Sequence, residues 1–159
     1  GQTHLLPFPD INYTELDGLW LDIPAIGIAS PITGVPLENG AWDVSWLGDQ
    51  TGWLDGSAYP TLNGNSVLTG HVWDAKNQPG VFYDVDQLVF GDQVIIHSFG
   101  SIFVYEVREV LTVKPESINA MLKHQSTPWI TLVTCQGFDE ESGSYQKRVL
   151  VRAELVEVK

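Results

Sequence analysis

Short apolar runs, rich in β-branched and aromatic residues, recur along this chain and are separated by segments of Gly, Pro, Asp and Asn. Turn residues return roughly every eight to twelve positions, a spacing typical of short strands in all-β domains. The pattern predicts strands within residues 19–28, 41–47, 65–70, 94–96, 102–113, 129–135 and 148–158. A chain with many short strands and almost no helix is expected to fold as a closed antiparallel barrel or a sandwich.

Local turn signals refine this strand pattern at two places. Pro24 interrupts the first strand-like segment, which predicts either an edge strand or two short pieces. Phe99 and Gly100 separate the strands at 94–96 and 102–113, so we expect a hairpin there.

Two segments have the apolar spacing of a short helix. One runs from Val81 to Leu88, and the other covers residues 115–123 and begins with a proline, which is favoured at the first helical position. Each places its large apolar residues on one side: Phe82, Val85 and Leu88 in the first segment, and Ile118, Met121 and Leu122 in the second.

The length of 159 residues favours one folded domain. Residues 1–17 contain two prolines and little periodicity, so we expect an irregular arm followed by a single domain over residues 18–159. Residues 48–64 are rich in Gly, Asp and Pro and predict a loop, anchored by Trp53 and Tyr59.

Charge is distributed unevenly and excludes one class of partner. The net charge is −12, and residues 1–75 carry nine carboxylates and no Lys or Arg. A field of this sign repels phosphate backbones, so we expect no nucleic-acid partner. No apolar run is long enough for a transmembrane helix, and the chain begins at Gly1 without Met. We therefore expect a soluble ectodomain whose membrane anchor lies outside this sequence.

The only cysteine, Cys135, ends the apolar run that begins at Trp129. A thiol becomes a nucleophile when its thiolate is stabilised, and it then needs an acid to protonate a leaving amine. His71 is the best placed histidine, because it follows Leu68-Thr69-Gly70 at a predicted strand end. The other three lie in less suitable places: His4 in the arm, His97 inside an alternating strand and His124 in a polar turn.

Arg148 is the third candidate. If residues 136–147 form a hairpin, the strand starting near Arg148 runs antiparallel to the Cys135 strand, and guanidinium and thiol meet at one end. A fixed guanidinium fork can hold a carbonyl and stabilise a tetrahedral oxyanion. Each residue also has an ordinary interpretation, as a buried thiol, a capping histidine or an ion-paired arginine. That alternative describes a non-enzymatic, β-rich surface binding module.

Taken together, these residues resemble a known family. Thr131-Leu132-Val133-Thr134-Cys135 matches the TLxTC signature of the sortases, the cysteine transpeptidases of Gram-positive cell surfaces. Gly70-His71 matches their histidine element, 64 positions before the cysteine, and Arg148 matches their arginine, 13 positions after it. The resemblance extends from about Leu19 to the carboxyl terminus.

The resemblance implies an eight-stranded, mainly β barrel with one or two short helices and a two-step reaction. Cys135 would cleave the Thr–Gly bond of an LPxTG-like sorting signal and form a thioester. His71 would protonate the leaving amine, and Arg148 would bind the scissile carbonyl region. Thr134 and Gln136 would order the substrate and the oxyanion site, and a pocket in the 113–129 segment would bind apolar residues of the signal, through Ile118, Met121 and Leu122.

The same resemblance implies the partners and the location. The partners would be sorting signals of surface proteins and an amine acceptor from a cell-wall precursor or another protein. The reaction would anchor surface proteins to the wall at the extracellular face of the membrane. A hydrolytic cysteine peptidase is the enzymatic alternative. The caspase-like pattern Thr134-Cys135-Gln136-Gly137 is a weaker match, because it requires an α/β fold that this chain does not predict.

Departures from the family pattern bear on cofactor and class. Three carboxylates precede the histidine, Asp43, Asp49 and Asp55, but the 113–129 segment offers only Glu116 early, with basic residues later. We therefore predict no cofactor, with calcium as the one metal to consider. A class C lid would need Asp-Pro-aromatic before the barrel, whereas residues 8–10 read Phe-Pro-Asp. A class A-like or a class D, E or F-like enzyme is expected instead.

Overall fold

The structure is a computed structural model that describes residues 18–74, 76–114, 125–135, 138–139, 144–145 and 148–159. Eight of its strands form a closed barrel, which confirms the predicted fold class. The strands are β1 (Leu19–Ile23), β2 (Ile28–Val35), β3 (Leu37–Glu38), β4 (Ala41–Trp42), β5 (Thr51–Leu54), β6 (Gly64–His71), β7 (Gln93–Ser98), β8 (Ser101–Val113), β9 (Pro128–Cys135), β10 (Phe138–Asp139), β11 (Ser144–Tyr145) and β12 (Arg148–Val158). Two 3₁₀ helices, Pro24–Ile26 and Val85–Gln87, complete the described elements.

The order of strands around the barrel is β1-β2-β5-β6-β9-β12-β8-β7. The prediction of an antiparallel barrel was wrong in two places, because β2 pairs with β5 and β6 pairs with β9 in parallel. Parallel neighbours need long crossover connections, and the two here span residues 36–50 and 72–127. As a result, the carboxyl ends of β6 and β9 lie at the same edge of the barrel.

Apolar side chains form two clusters, one on each side of the barrel wall. The first draws residues from all eight strands and fills the interior, with Leu21, Leu68, Tyr105 and Leu132 fully buried. The second lies on the outer face of five neighbouring strands, β2, β5, β6, β9 and β12. It comprises Val35, Leu47, Leu54, Val67, Val133 and Leu150.

Strands β6 and β9 contribute to both clusters and are therefore buried on both faces. Such strands read as continuous apolar runs rather than as alternating ones, which explains the pattern at residues 129–134. In the part of the chain that the structure describes, no helix is long and apolar enough to span a membrane.

Several local predictions are confirmed. Pro24 lies in a 3₁₀ turn between β1 and β2, so the first segment forms two pieces. Phe99 and Gly100 both have positive φ, 48° and 89°, and join β7 to β8 as a two-residue hairpin loop. Trp53 and Tyr59 do anchor their loop, with ring centroids 5.4 Å apart in an edge-on contact.

The predicted strand at 41–47 was wrong beyond Trp42. Ala41 and Trp42 form the two-residue strand β4, and the chain then turns, so that Val44 O accepts a hydrogen bond from Leu47 N–H at 3.2 Å. Leu47 is buried in the outer cluster, while Trp46 remains 43% exposed. The burial of Leu47 favours the turn, although the alternation of Trp42, Val44 and Trp46 is typical of a strand.

Strand β5 was missed by the prediction of a loop at 48–64. It is only four residues long and contains Gly52, which weakens a strand signal. Glycine is needed at position 52 for steric reasons, because a Cβ there would lie 2.7 Å from Cγ2 of Val35 and 3.0 Å from Cδ1 of Leu47. The glycine allows β2 and the Leu47 turn to approach the barrel wall.

The predicted helix at Val81–Leu88 is instead a series of turns with one 3₁₀ segment. Phe82, Val85 and Leu88 are nevertheless all buried, as predicted. Their spacing of three residues matches the three residues per turn of a 3₁₀ helix as well as one face of an α-helix. The arm at 1–17, the helix at 115–123, and Ile118, Met121, Leu122 and Gln136 lie outside the described residues.

A stability prediction follows from Tyr105, which is fully buried and whose Oη accepts a hydrogen bond from Thr61 N–H at 3.2 Å. Burial raises the pKa of Tyr105 to about 12, although the bond from Thr61 acts in the opposite direction. Between about pH 10 and 12 the unfolded chain ionises this phenol while the folded chain keeps it neutral. The free energy of unfolding is expected to fall there by about 3 kcal/mol.

Tyr105→Phe should remove this alkaline loss and cost about 1 kcal/mol at neutral pH, because Thr61 N–H loses its acceptor. Urea titrations at pH 8, 10 and 11.5 measure both effects. Parallel pH dependences of the native chain and the variant would contradict the assignment.

Candidate active site

His71 is the last residue of β6, and its backbone lies opposite Cys135, the last residue of β9, in the parallel register. The register begins with Gly64 opposite Pro128 and continues without a shift over eight pairs. The 64-residue separation between His71 and Cys135 is therefore closed by strand pairing alone. The carboxyl-terminal ends of these two strands therefore meet at one edge of the barrel.

Gly70 is required by the packing beneath His71. A Cβ at position 70 would lie 2.6 Å from Cγ1 of Val81 and 2.9 Å from the ring of Phe82. Phe82 is fully buried in the barrel interior, so the wall comes unusually close at this point. The Gly-His dipeptide thus has a physical cause, because only glycine allows the 81–82 segment to close the barrel end next to His71.

A second glycine, Gly80, packs directly on the backbone of His71. Its N–H donates to Val72 O at 2.7 Å, and Phe82 N–H donates to His71 O at 3.0 Å. A Cβ at position 80 would lie 2.7 Å from the carbonyl carbon of His71 and 3.1 Å from its Cβ. These contacts fix the backbone from which the imidazole projects.

The imidazole of His71 is half-buried and is held by a backbone carbonyl. Its Nε2 lies 2.9 Å from Val44 O. A carbonyl oxygen can only accept, so Nε2 carries hydrogen and donates it. In the neutral ring the lone pair is then on Nδ1, which is the nitrogen able to take up or release a proton.

The carbonyl of Val44 belongs to a tight polar turn. Asp43 Oδ1 accepts hydrogen bonds from Ser45 N–H at 3.0 Å and from Ser45 Oγ at 2.6 Å. The bonds from the Ser45 hydroxyl and backbone lower the pKa of Asp43 below its ordinary value, so the carboxylate is ionised at neutral pH. We call residues 43–47 the acidic turn.

Arg148 begins β12 and is half-buried beside Thr134. Its Nη1 lies 3.4 Å from Thr134 O, and the buried Thr134 Oγ1 accepts a hydrogen bond from Val149 N–H at 3.0 Å. Strands β9 and β12 are antiparallel, with Leu150 opposite Val133. Strand β12 therefore begins, at Arg148, at the same barrel edge where β9 ends at Cys135.

The structure thus brings the ends of three neighbouring strands together. Strand β9 lies between β6 and β12, so Cys135 is flanked by His71 on one side and by Arg148 on the other. An acid–base imidazole and a guanidinium at one edge are suited to acyl transfer, which needs proton exchange and stabilisation of an oxyanion. Thr134 precedes Cys135 on β9 and contacts Arg148 and Val149 N–H through its carbonyl and hydroxyl; its predicted role in ordering substrate stays a prediction.

The remaining histidines do not join this arrangement in the described part of the chain. His97 lies on β7 with its Nε2 2.6 Å from Asp22 Oδ2. His4 and His124 lie outside the described residues. Considering only what the structure describes, no group of three His, Cys, Asp or Glu side chains is arranged to hold a metal ion.

Sequence reasoning missed two residues that position His71. One is Val44, which acts through its backbone carbonyl and so leaves no side-chain signal; the neighbouring Asp43-x-Ser45 pattern, typical of an Asx turn, could have indicated it. The other is Gly80, whose close packing on the backbone of His71 has no local sequence signal.

Comparison with known proteins identifies the family of this chain. A family model described as a sortase domain matches residues 21–156. Among solved structures, a sortase D5 transpeptidase of Clostridium perfringens has a TM-score of 0.68 at 27% identity, covering 88% of this chain and 79% of its own. Sortase C-1 of Actinomyces oris has a TM-score of 0.70 at 30% identity, covering 87% and 73%.

A third similar structure contains a peptide motif. It is sortase C of Clostridium perfringens with the C-terminal cell wall sorting motif, with a TM-score of 0.72 at 26% identity, covering 98% of this chain and 78% of its own. A search of curated proteins gave no match. The family model spans most of the chain, and the barrel is shared with these enzymes. The chain therefore belongs to the sortase family and is a cysteine transpeptidase.

Proposed function

We propose that this transpeptidase cleaves the Thr–Gly bond of an LPxTG-like sorting signal and transfers the acyl group to an amine, anchoring a surface protein to the cell wall. The observation that carries the proposal is the register across β6, β9 and β12. In support of the proposal, His71 of β6 lies opposite Cys135 of β9, and β12 begins at Arg148, whose Nη1 is 3.4 Å from Thr134 O. These are the residues that match the family's signature.

In the first step, the thiolate of Cys135 attacks the carbonyl carbon of the signal's threonine. The tetrahedral oxyanion is stabilised by the guanidinium of Arg148 and by backbone N–H groups near Cys135 and Gln136. The bond to the glycine nitrogen then breaks, and Nδ1–H of His71 protonates that nitrogen as it leaves. A thioester on Cys135 remains.

In the second step, an incoming amine attacks the thioester and transfers a proton to Nδ1 of His71. The sulfur leaves as a thiolate, which restores the starting state. Throughout both steps Nε2–H of His71 stays bonded to Val44 O, so that only Nδ1 exchanges protons. Thr134 supports the edge, because its hydroxyl and carbonyl contact Val149 N–H and Arg148.

The signal is expected to bind along the outer face beside β6 and β9, with its apolar residues in the 113–129 segment at Ile118, Met121 and Leu122. The acceptor is an amine of a cell-wall precursor or of another protein, and the reaction is therefore expected at the outer face of the cell membrane.

The prediction of a class other than C depends on residues 8–10, outside the described residues. We propose no metal cofactor.

A panel of LPxTG-like and LAxTG-like peptides, incubated with an amine acceptor and followed by mass spectrometry, tests the proposal. The native chain is expected to form a thioester adduct and then an amide product. Cys135→Ala, the matched control, should form neither, because the replacement removes only the sulfur.

Two results would contradict the proposal. Equal product from the native chain and Cys135→Ala would remove the thiol from the reaction. Thioester formation that always ends in free acid, at every amine concentration, would favour the hydrolytic peptidase.

A further inference from the structure

We propose that Asp43 positions the catalytic imidazole through an intervening peptide group, by holding the Ser45 N–H while the carbonyl of the same peptide, Val44 O, holds Nε2–H of His71. This inference rests on the proposed role of His71 as acid and base. It assigns a positioning role to Asp43, an exposed carboxylate in the acidic first half of the chain.

The geometry rests on one planar unit. Val44 C=O and Ser45 N–H belong to the same peptide, and the planarity of the trans amide makes them point in opposite directions. Asp43 Oδ1 accepts from the N–H end at 3.0 Å, and His71 Nε2 donates to the C=O end at 2.9 Å. Fixing the N–H therefore fixes the direction of the carbonyl that orients the imidazole.

The carboxylate also changes the strength of that carbonyl as an acceptor. Hydrogen bonds in series polarise one another, and a charged acceptor at the N–H end increases the negative charge on the carbonyl oxygen. Val44 O then favours the form of the ring in which Nε2 carries hydrogen. This leaves Nδ1 for proton exchange, as the two-step reaction requires.

The rest of the acidic turn anchors this peptide to the barrel. Leu47 N–H donates to Val44 O at 3.2 Å, and Leu47 is buried in the outer cluster. On the other side, Trp42 Nε1 donates to Asp55 O at 2.9 Å. Leu47 N–H thus holds the Val44–Ser45 peptide at its carbonyl end, and the Asp43 carboxylate holds the same peptide at its N–H end.

Three variants separate orientation, charge and local structure. Asp43→Ala removes the acceptor for Ser45 N–H, and kcat is expected to fall about tenfold with KM changed less than about twofold. Asp43→Asn keeps a carbonyl acceptor without the charge and should restore kcat to within about threefold of the native value. Ser45→Ala removes only the hydroxyl and leaves the N–H bond, so it should behave like the native chain.

Asp49→Ala is the matched control for charge. Asp49 lies in the same connection and is exposed, and its removal changes the net charge as Asp43→Ala does. It is expected to leave kcat within about twofold of native. Thermal unfolding of each variant checks that the fold is retained.

A second measurement reports directly which tautomer the His71 imidazole adopts. The nitrogen NMR shifts of the His71 ring, assigned by their loss in His71→Gln, report which nitrogen carries hydrogen. In the neutral ring we expect hydrogen on Nε2 in the native chain and in Asp43→Asn, and a mixture of both tautomers in Asp43→Ala.

The outcomes are separable from those of the proposed function. If Asp43→Ala keeps both kcat and the Nε2–H tautomer, or if Asp49→Ala matches its loss, the role of Asp43 is overturned. If the native chain forms no thioester, the proposed function fails. The NMR comparison of native, Asp43→Asn and Asp43→Ala chains then still decides whether Asp43 controls the ring.

Discussion

Arg148→Lys is expected to lower kcat/KM for thioester formation by about a hundredfold while leaving the barrel intact. The ammonium keeps the charge but has neither the planar fork nor the reach of the guanidinium, whose Nη1 is 3.4 Å from Thr134 O. The three N–H donors of an ammonium share one nitrogen, so they cannot reproduce the spacing with which two guanidinium nitrogens contact the strand edge and the oxygen of a tetrahedral intermediate together. The loss should appear in single-turnover adduct formation, measured by mass spectrometry.

Arg108→Lys is the matched control for this change. Arg108 lies on β8, where it contacts Glu106 at 3.1 Å and Glu154 at 3.4 Å, away from the β6–β9–β12 edge. Its replacement should leave kcat/KM unchanged, since ion pairs near the surface contribute little. If Arg148→Lys kept more than about a fifth of native activity, Arg148 would be a structural partner of Thr134 and not part of the catalytic site.

Gly80→Ala is expected to destabilise the fold by about 3 kcal/mol and to lower kcat about a hundredfold in the molecules that remain folded. The added methyl would meet the backbone of His71, 2.7 Å from its carbonyl carbon, and backbone cannot rotate away as a side chain can. Relief requires the 79–82 segment to move, which breaks the bonds to Val72 O and His71 O and displaces the buried Phe82.

Gly91→Ala is a control with a different kind of strain. Gly91 has φ of 92° and open space around its Cβ direction, so alanine there costs stability through the backbone alone. We expect a lower melting temperature for Gly91→Ala with native kcat. If Gly80→Ala were as active as Gly91→Ala, the packing of residue 80 on His71 would have no catalytic consequence.

The strands that carry the site could be predicted because their own residues indicate strand structure. β-Branched residues from Ile130 to Thr134 favour a pleated backbone, and the strand ends at Cys135 as expected. The same holds for β6 and its terminal His71. A strand that begins near Arg148 and runs antiparallel to β9 was also predicted, and β12 has these bounds and this direction.

The parallel pairs and the acidic turn were not predictable, because they depend on contacts between distant segments. Nothing local in residues 64–71 states whether the next strand in the wall runs parallel or antiparallel. Alternation at Trp42 and Val44 favoured a strand, but the burial of Leu47 against Val35 and Val67 makes a turn instead. The need for glycine at position 52 was unpredictable for the same reason, because it results from the close approach of Leu47.

The position of β9 between β6 and β12 has a consequence for how the enzyme matures. Its neighbour β6 precedes it by 64 residues in the paired register, so the contact between His71 and Cys135 has a high contact order and forms slowly, whereas the contact with β12 is local. A partly folded molecule with only the local β7–β8 hairpin would have its thiol without its acid. Transpeptidation is therefore expected only after β6 and β9 have paired and the barrel has closed.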